Sequence, residues 1–510
     1  MKSIGDASAK DLKVERVKIW YHLPFSVFDL PGHNPELGFN EQATKPHDLK
    51  GWVRNTIAAN PDQLNYFHSF TTDALFPKPA DANSAPHPEQ PHLIEHWSKN
   101  KYIGKTVQAV KTIPPKKEDG GLKTGRNTYK AFQGVVDDIS MRIFRPVGPI
   151  SKLNPAMAVL VVGISYDKVS DAPISEHTDK TLKDARKLTL ADAQDAMDWT
   201  RRAFARWPSE VAPDTAPRQA KSEQKATVNK QFVAGDMIDR LRLVDDADGC
   251  SWLSVNDKFE IARWVKSLVT PIKFSQRDAV FFGDERSYIT SAIHLSGTDE
   301  NAREIVASIK EEDLFRLAEV DSSGDEPPYA LAFISEKLTS YRYDRNAPQP
   351  DGSSGKSIIG LIAQHQLCLV GAGSFFDHFI LGPHDNGKNL RNQGHIDTYY
   401  RHLQFLAVYE YFRLITFSQR LSRLVREREA DGGILFAERL LQLRKDFLEF
   451  THMHHFENVS LQLQPREMFD KIRATLALDE LFSDLEQEIA AASEFVRAQQ
   501  SQDAAVEANM

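Results

Sequence analysis

The sequence predicts an α+β protein: an N-terminal α/β domain with a mixed sheet, followed by a C-terminal region of long α-helices. "VERVKIWYHL" (14–23) alternates well enough for a strand, and "AMAVLVVGISY" (156–166) is apolar on both faces, as is typical of a central strand. From His395 to about Glu429 the chain contains neither Pro nor Gly, which permits a helix of roughly 50 Å at about 1.5 Å per residue. These three observations set the fold class.

Stretches rich in Pro, Gly, Ser and charge divide the chain, and we interpret them as loops or linkers. One of them, at 208–226, carries three prolines. We predict an α/β domain over 1–345 with a candidate subdivision near 208–230, a long-helix region over 357–498, and a frayed tail over 499–510.

The shorter elements of the N-terminal domain are predicted from the spacing of apolar residues. They are a strand over 141–148, a helix over 189–206, a helix over 255–269, two short strands around a Gly-Asp turn over 279–295, and a strand at the start of 329–338. Thr189 followed by Asp192 predicts a capping box at the start of the 189–206 helix, because each residue can bond the other's backbone N–H.

The C-terminal third predicts a helical bundle or a coiled-coil oligomer. The apolar positions of the 395–429 helix cover a wide arc, which implies burial against more than one neighbour. A second helix is expected to start at Ile434 and run past the histidines at 452–455. Pro465 fits the first turn of a third helix, and leucines three and four residues apart from Leu478 onward predict a last one.

Composition and charge limit the class of partner. The chain has 510 residues, of which 41% are hydrophobic and 26% charged, so it contains enough apolar material for sizeable cores. The formal net charge of −8 does not favour nucleic acid as the main partner.

Cysteine content and apolar runs indicate the compartment. Two distant cysteines, Cys250 and Cys368, exclude a disulfide framework and favour a reduced cytoplasmic setting. The charged N-terminus predicts no secretory signal. The apolar stretch 357–382 includes Asp377 and several other polar residues, so we expect no membrane insertion.

Two loops suggest chemistry. "PDGSSGKS" (350–357) ends like a phosphate-binding loop but has Pro350 where that motif requires Gly, so we predict a flexible loop before a helix. The second loop, 382–397, gathers His384, Asp385, His395 and Asp397. These four residues can bind metal or act as acid and base, whereas the Asn-Gly and Gln-Gly steps between them are typical of turns.

Four arginines on the first long helix lie at helical spacings: Arg413, Arg420, Arg423 and Arg426. They form either a basic stripe for phosphates or an acidic partner, or a solvated face that pairs with the interleaved Glu410, Glu427 and Glu429. We favour the solvated face, in which each intrahelical pair contributes only a few tenths of a kcal/mol.

"FTHMHHFENVS" (450–460) carries the chain's densest histidine group. On a helix, His452 and His455 share a face and His454 points elsewhere. The pattern lacks the two His at i and i+4, with Glu after the first, that a zinc protease helix needs, and two ligands are too few for zinc. The neighbouring Phe447, Phe450 and Phe456 favour a packed helix instead.

The C-terminal segments 395–424 and 443–489 resemble the two long helices of soluble CorA-like proteins, relatives of the CorA magnesium transporters. The matching residues are Phe450, Phe456, Val459, Ser460, Gln462, Gln464, Glu467 and Phe469. The resemblance implies an α/β domain on a helical stalk that assembles through its helices. It does not imply magnesium transport, because the Gly-Met-Asn signature and the membrane helices of the transporters are absent.

Our leading hypothesis is therefore a cytoplasmic, non-transporting CorA-like protein that forms a homo-oligomer or binds a protein partner through its long helices. The alternative is a metal-dependent hydrolase using the clusters at 384–397 or 452–455, and a third is nucleic-acid binding through the 413–426 arginines. The sequence predicts no cofactor and assigns no residue to catalysis or metal binding.

Overall fold

The computed structural model describes a defined part of the chain. This part comprises residues 8–27, 52–54, 66–76, 94–99, 103–104, 106–113, 128–144, 155–172, 182–201, 236–238, 252–255, 259–262, 265, 268, 286–343, 357–382, 394–427 and 434–508.

Among the described residues, twelve strands form one mixed sheet. The strands in this part of the chain are β1 (Lys13–Val27), β2 (Val53–Arg54), β3 (Ile94–Ser98), β4 (Thr106–Ile113), β5 (Thr128–Phe144), β6 (Ala156–Ser170), β7 (Arg186–Thr189), β8 (Asp236–Ile238), β9 (Trp252–Val255), β10 (Phe259–Ala262), β11 (Tyr288–Leu295), β12 (Arg342–Tyr343), β13 (Ile358–Ala363) and β14 (Gln366–Ala372). The sheet order is β12-β13-β14-β11-β1-β7-β6-β5-β3-β2, with β4 and β8 joined through β5 and with β1 also paired to β6. The β11–β14 pair is parallel and the other pairs are antiparallel, while β9 and β10 form a separate hairpin.

Ten helices and two π-helical segments accompany the sheet within the described ranges. They are α1 (Ser69–Leu75), α2 (Leu190–Thr200), α3 (Ala302–Ala307), α4 (Glu311–Glu319), α5 (Leu331–Tyr341), α6 (Gly373–Phe375), π1 (Phe376–Leu381), π2 (Ile396–Tyr400), α7 (Arg401–Glu427), α8 (Ile434–Met453), α9 (Leu463–Thr475) and α10 (Leu478–Ala508). The mixed sheet followed by long helices confirms the predicted fold class.

The sheet lies between two helical layers, and β1 shows why. Because alternate strand residues point to opposite faces, Val17, Ile19 and Tyr21 enter a core shared with α2, α3, α4 and α5. Trp20 enters a second core with α1, the π-helical segments and α7 to α10. Strand β6, between β1 and β5, contributes to both cores, as expected for a central strand.

Two glycines of the sheet leave room for aromatic rings that pack directly against it. A Cβ atom at Gly163 would lie 2.6 Å from the ring of Trp20, and one at Gly371 would lie 2.2 Å from the ring of Phe376. Both distances are far below van der Waals contact. The sheet therefore presents glycine where Trp20 and Phe376 lie flat against it.

Several predicted elements are confirmed. The strands expected at 14–23 and 156–166 are β1 and β6, and the second strand of 279–295 is β11. Residues 141–144 of the strand predicted over 141–148 end β5. The helix predicted from 189 is α2, which has the expected capping box: Thr189 Oγ1 accepts from the Asp192 N–H, and the Asp192 carboxylate accepts from the Thr189 N–H.

Two short predictions in the N-terminal part are corrected. The helix predicted over 255–269 begins instead with the β9–β10 hairpin, in which Phe259 pairs with Val255, whereas Val265 and Leu268 are helical as expected. The strand predicted at the start of 329–338 is helix α5, which buries Ile334 and Leu338, four residues apart. Short apolar windows fit either periodicity, so tertiary pairing decides between helix and strand.

Three predictions at the ends of the long helices are also corrected. The long-helix region was predicted to begin at 357, but residues 358–372 form strands β13 and β14 of the sheet. The prediction failed because a continuous apolar run has no period that distinguishes a buried strand from a helix. Helix α8 ends at Met453, before the histidines at 454 and 455, and α10 continues to Ala508 where a frayed tail was expected from 499. Within the described residues, no helix has both the length and the apolarity needed to cross a membrane.

Candidate functional site

A group of mostly buried polar side chains lies between the sheet and helix α7, beside direct apolar contacts such as that of Phe144 with Phe405. The even-numbered residues Arg16, Lys18 and His22 of β1 face the long helices although β1 is buried along most of its length. We give the name polar interlayer to a set of ten residues: Arg16, Lys18, His22, His96, Asp137, Asp138, Arg142, Asp397, Arg401 and His402. Buried charges need partners, so their pairing shows what this layer can do.

Lys18 and Asp397 form the central ion pair. Lys18 Nζ lies 2.7 Å from Asp397 Oδ2, and Trp20 Nε1 donates a hydrogen bond of 3.0 Å to Asp397 Oδ1. Asp137 Oδ2 lies 3.9 Å from the same ammonium group and accepts a hydrogen bond of 2.7 Å from Ser165 Oγ. Burial raises the pKa of Asp137. The pair joins the central strand β1 to the start of the long helix.

Arg401 closes this part of the interlayer. Its guanidinium lies 3.9 Å from the centroid of the Trp20 ring, and its Nε donates to the Asp397 carbonyl oxygen at 2.6 Å. Its Nη1 lies 3.3 Å from Asp138 Oδ2. A β-bulge between Val136 and Asp138 lets the adjacent residues of β5 both reach the helix side.

Three histidines and one arginine form a second group, which we call the histidine–arginine cluster: His22, His96, Arg142 and His402. His22 Nε2 lies 3.2 Å from Thr290 Oγ1, and the Arg142 guanidinium lies 4.5 Å from the centroid of the Phe405 ring. Burial lowers the pKa of His22 to about 3 and that of Arg142 to about 9, and the positive charge of Arg401 adds to both shifts. Burial also lowers the pKa of His96 and of His402, so the three imidazoles are neutral at pH 7.

A third group lies at the end of β1. Arg16 Nη2 lies 3.3 Å from Asp377 Oδ1 and donates at 2.8 Å to the carbonyl oxygen of Gly382. His294 Nδ1 lies 3.6 Å from the same Asp377 oxygen, and its ring is stacked on Phe376. These contacts connect β1 and β11 to π1.

The first predicted cluster is not assembled among the described residues. His384 and Asp385 lie outside them, while the His395 ring packs against Tyr399 and Asp397 is bound to Lys18. Within the described ranges, no group of three or more His, Cys, Asp or Glu residues is arranged to hold a metal ion.

The expected solvated arginine face is wrong for two of its four members. Arg413 is buried and lies 4.8 Å from the centroid of the Phe417 ring, and Arg420 reaches Asp446 of α8 at 2.6 Å. Of the other two, Arg426 is exposed, as expected, and Arg423 is half-buried. The ion pair of Arg420 and Asp446 holds α7 against α8, and the inward position of Arg413 leaves no continuous basic stripe for a phosphate backbone.

The histidines at 452–455 diverge because α8 ends among them. His452 is exposed, whereas His454 is buried with its ring edge-on to Tyr409, and burial lowers its pKa to about 3. His455 Nδ1 lies 2.5 Å from Glu410 Oε1, and its ring is stacked on Phe482. The expectation that His452 and His455 share one helix face is therefore wrong.

Glu410 also binds an arginine that the sequence did not single out. Arg473 Nη1 of α9 lies 2.8 Å from both oxygens of the fully buried Glu410 carboxylate and donates to the Phe456 carbonyl oxygen at 3.3 Å. This network ties α7, α9 and the segment after α8 together, which is a structural role.

The end of the phosphate-loop pattern leads into a strand. Gly355 and Lys356 lie outside the described residues, and Ser357 directly precedes β13. A phosphate loop requires a helix at this point, so the strand gives that motif no support. The helix that we predicted after this loop is wrong for the same reason.

Sequence reasoning missed the polar interlayer, yet one signal for it was present. Arg16, Lys18 and His22 alternate with Val17, Ile19 and Tyr21 in "VERVKIWYHL". That pattern is normally interpreted as a solvent-facing edge, whereas here both faces of the strand are covered.

One face of α8 is exposed and partly apolar. Leu441 and Leu448 are 54% and 47% exposed and are one heptad apart. Glu438 and Lys445 are also exposed and lie on the same side of the helix, at spacings of three and four residues from the leucines. We call these four residues the α8 face.

Comparisons of the chain with protein-family models, with curated proteins and with solved structures give no match. The resemblance to CorA-like proteins therefore stays a prediction that rests on the residues quoted above.

Proposed function

We propose that this protein acts by self-association, and that two copies join through the α8 face. The observation that carries the proposal is the symmetry of that face. Glu438 and Lys445 are equidistant from a point between Leu441 and Gln442, and Leu441 lies beside that point.

In a two-fold interface every contact occurs twice, with its two residues exchanged between the copies, so residues that face each other across the axis must be complementary. If two α8 helices pack antiparallel about that point, Glu438 lies at the level of Lys445 of the second copy, and the two Leu441 side chains are adjacent. A parallel pairing would instead place like charges at the same level, which disfavours it. The charges therefore select the antiparallel arrangement, and the leucines provide apolar area to bury, at about 25 cal/mol per Å².

Charge reversal tests the pairing directly. Glu438→Lys and Lys445→Glu, made singly, should each weaken the dimer because each places two like-charged pairs across the axis. The double variant restores opposite charges and should recover the association. Sedimentation velocity at several protein concentrations measures all three variants against the unchanged protein.

A matched control uses a leucine away from the α8 face. Leu461 is 86% exposed, so Leu461→Glu should leave the association unchanged, whereas Leu441→Glu should abolish it. A chain that is monomeric at micromolar concentration before any substitution, or a Leu441→Glu variant that associates normally, would contradict the proposal.

Other features of the molecule fit the same interpretation. The sheet followed by long helices matches the order that the CorA-like resemblance implies, and Cys368 is a free buried thiol, as in a reduced cytoplasm. The metal-dependent hydrolase gains no support from the described contacts, since Asp397 and His455 are bound to Lys18 and Glu410.

A further inference from the structure

We infer that the histidine–arginine cluster binds one small inorganic anion between the sheet and helix α7. The ligand class is defined by its chemistry: a negative charge small enough for a closed interior and able to accept several N–H hydrogen bonds. This inference is independent of self-association through α8.

Three of the four cations in the polar interlayer are paired with a carboxylate. Lys18 has Asp397 as its partner and Arg401 has Asp138, at 2.7 and 3.3 Å. Arg16 has Asp377 at 3.3 Å. Each of these cations therefore has a carboxylate of its own.

Arg142 is the exception. It is 5% exposed, and its Nη1 has no hydrogen-bond partner among the described residues. Asp138 acts on it electrostatically, but that carboxylate is bound to Arg401 and accepts from Ser140 Oγ at 3.0 Å. A buried guanidinium without its own counter-charge is strongly unfavourable, so the site calls for a negative ion.

Three histidine side chains on the same side of the sheet as Arg142 also have a buried nitrogen atom without a partner among the described residues. His22 Nδ1, His96 Nδ1 and His402 Nε2 are all buried and have no hydrogen-bond partner in the described part of the chain. They come from β1, β3 and α7, and His96 is paired directly with Arg142 in the sheet register. His22 and Arg142 both lie against the Phe405 ring, with the His22 ring 6.4 Å and the Arg142 guanidinium 4.5 Å from its centroid.

The tautomers can be chosen so that the site donates. His22 Nε2 can accept a hydrogen bond from the Thr290 hydroxyl group, and in that tautomer its Nδ1–H is free to donate. His96 and His402 can likewise carry their protons on the unpartnered nitrogens. Three neutral imidazole N–H groups and one guanidinium N–H are then available as hydrogen-bond donors to an anion.

A metal ion does not suit the same residues. The positive charge of the buried Arg142 would repel a cation. An anion neutralises Arg142 and also uses the donors that are otherwise unpaired.

Anion content and anion-dependent stability test the inference on the full chain. Protein dialysed against sodium chloride, nitrate or phosphate at equal ionic strength, desalted and denatured, should release about one anion per chain for the preferred ion, measured by ion chromatography. The same ion should raise the melting temperature with a saturable midpoint, and comparing the three salts separates a halide from an oxyanion.

Substitutions locate the site. Arg142→Gln should weaken anion binding and so raise the anion concentration at the midpoint by roughly 10- to 100-fold, the range expected for one charge-assisted hydrogen bond. His402→Phe should weaken it less, because it removes one neutral donor. Arg426→Gln removes the same charge from an exposed position and should leave the midpoint unchanged.

If Arg142→Gln does not fold, the unchanged protein still decides the matter. Release of no stoichiometric anion, together with a melting temperature that follows ionic strength alone for all three salts, would overturn the inference. An equal effect of Arg142→Gln and Arg426→Gln would do the same.

Discussion

At the residue scale, Asp397 shows how a candidate catalytic group became a structural one. It lies in the loop region singled out for metal or acid–base chemistry, but its two oxygens are taken by Lys18 and Trp20. The Lys18 ammonium group and the Asp397 carboxylate are both almost fully buried, so water cannot solvate either charge. Each stabilises the other, and removing one leaves the other charge buried without compensation.

We expect Asp397→Leu to lower the free energy of unfolding by about 3–5 kcal/mol, because Lys18 is left buried without its closest partner. The double variant Asp397→Leu, Lys18→Met should recover most of that loss, since it removes both charges. Urea unfolding measures both.

The exposed pair of Lys10 and Asp325 provides the control. Asp325→Leu should change the free energy of unfolding by at most about 1 kcal/mol, because water solvates both groups. Equal losses for Asp325→Leu and Asp397→Leu would show that burial of the Lys18 pair is unimportant.

At the element scale, the sequence predicts a helix end correctly where a nearby side chain hydrogen-bonds to the free backbone N–H groups at that end. The start of α2 is such a case, since Thr189 and Asp192 cap the helix through bonds three residues apart. Such bonds depend on neighbouring residues alone, so a sequence pattern is sufficient to predict them. The end of α8 is the opposite case: His454 lies beyond the helix and packs against Tyr409 and Phe144 of distant elements.

Thr189→Ala should cost about 1 kcal/mol of stability, because the Asp192 N–H loses its side-chain acceptor at a buried helix start. Thermal and urea unfolding measure this effect. Thr339→Ala, on the exposed side of α5, removes a hydroxyl that caps nothing and should be close to neutral. A Thr189→Ala variant as stable as Thr339→Ala would contradict the role of the cap.

At the scale of the whole molecule, one sheet serves two cores. Its two faces are both covered by helices, so the polar residues on the α7 side are removed from water only when the sheet and the long helices are packed together. The buried histidines therefore link the stability of the whole molecule to pH.

We expect the free energy of unfolding to fall as pH is lowered below 6.5. Burial lowers the pKa of both His22 and His454 to about 3, from the ordinary value of 6.5. Between these values the unfolded chain binds protons that the folded chain does not, so stability is present above pH 6.5 and is lost toward pH 3. Each such histidine contributes about 1.4 kcal/mol per pH unit in that range.

Urea unfolding between pH 7.5 and 5 measures this slope. His454→Phe should reduce it by about one proton, while His452→Phe, at an exposed position of the same segment, should leave it unchanged. Identical slopes for both variants and the unchanged protein would show that the buried His454 is not responsible.

The sequence by itself determined the fold class, the capped start of α2, the central strands β1 and β6 and the long helix α7, since these depend on periodicity and local bonds. It did not determine that 358–372 form strands, that Arg413 and Arg420 turn inward, or that Arg142 and three histidines meet. The physical reason is that apolar runs and polar alternation have the same pattern whether the second face is covered by solvent or by a helix. Only the packing of α7 on the sheet decided which of these polar residues are buried.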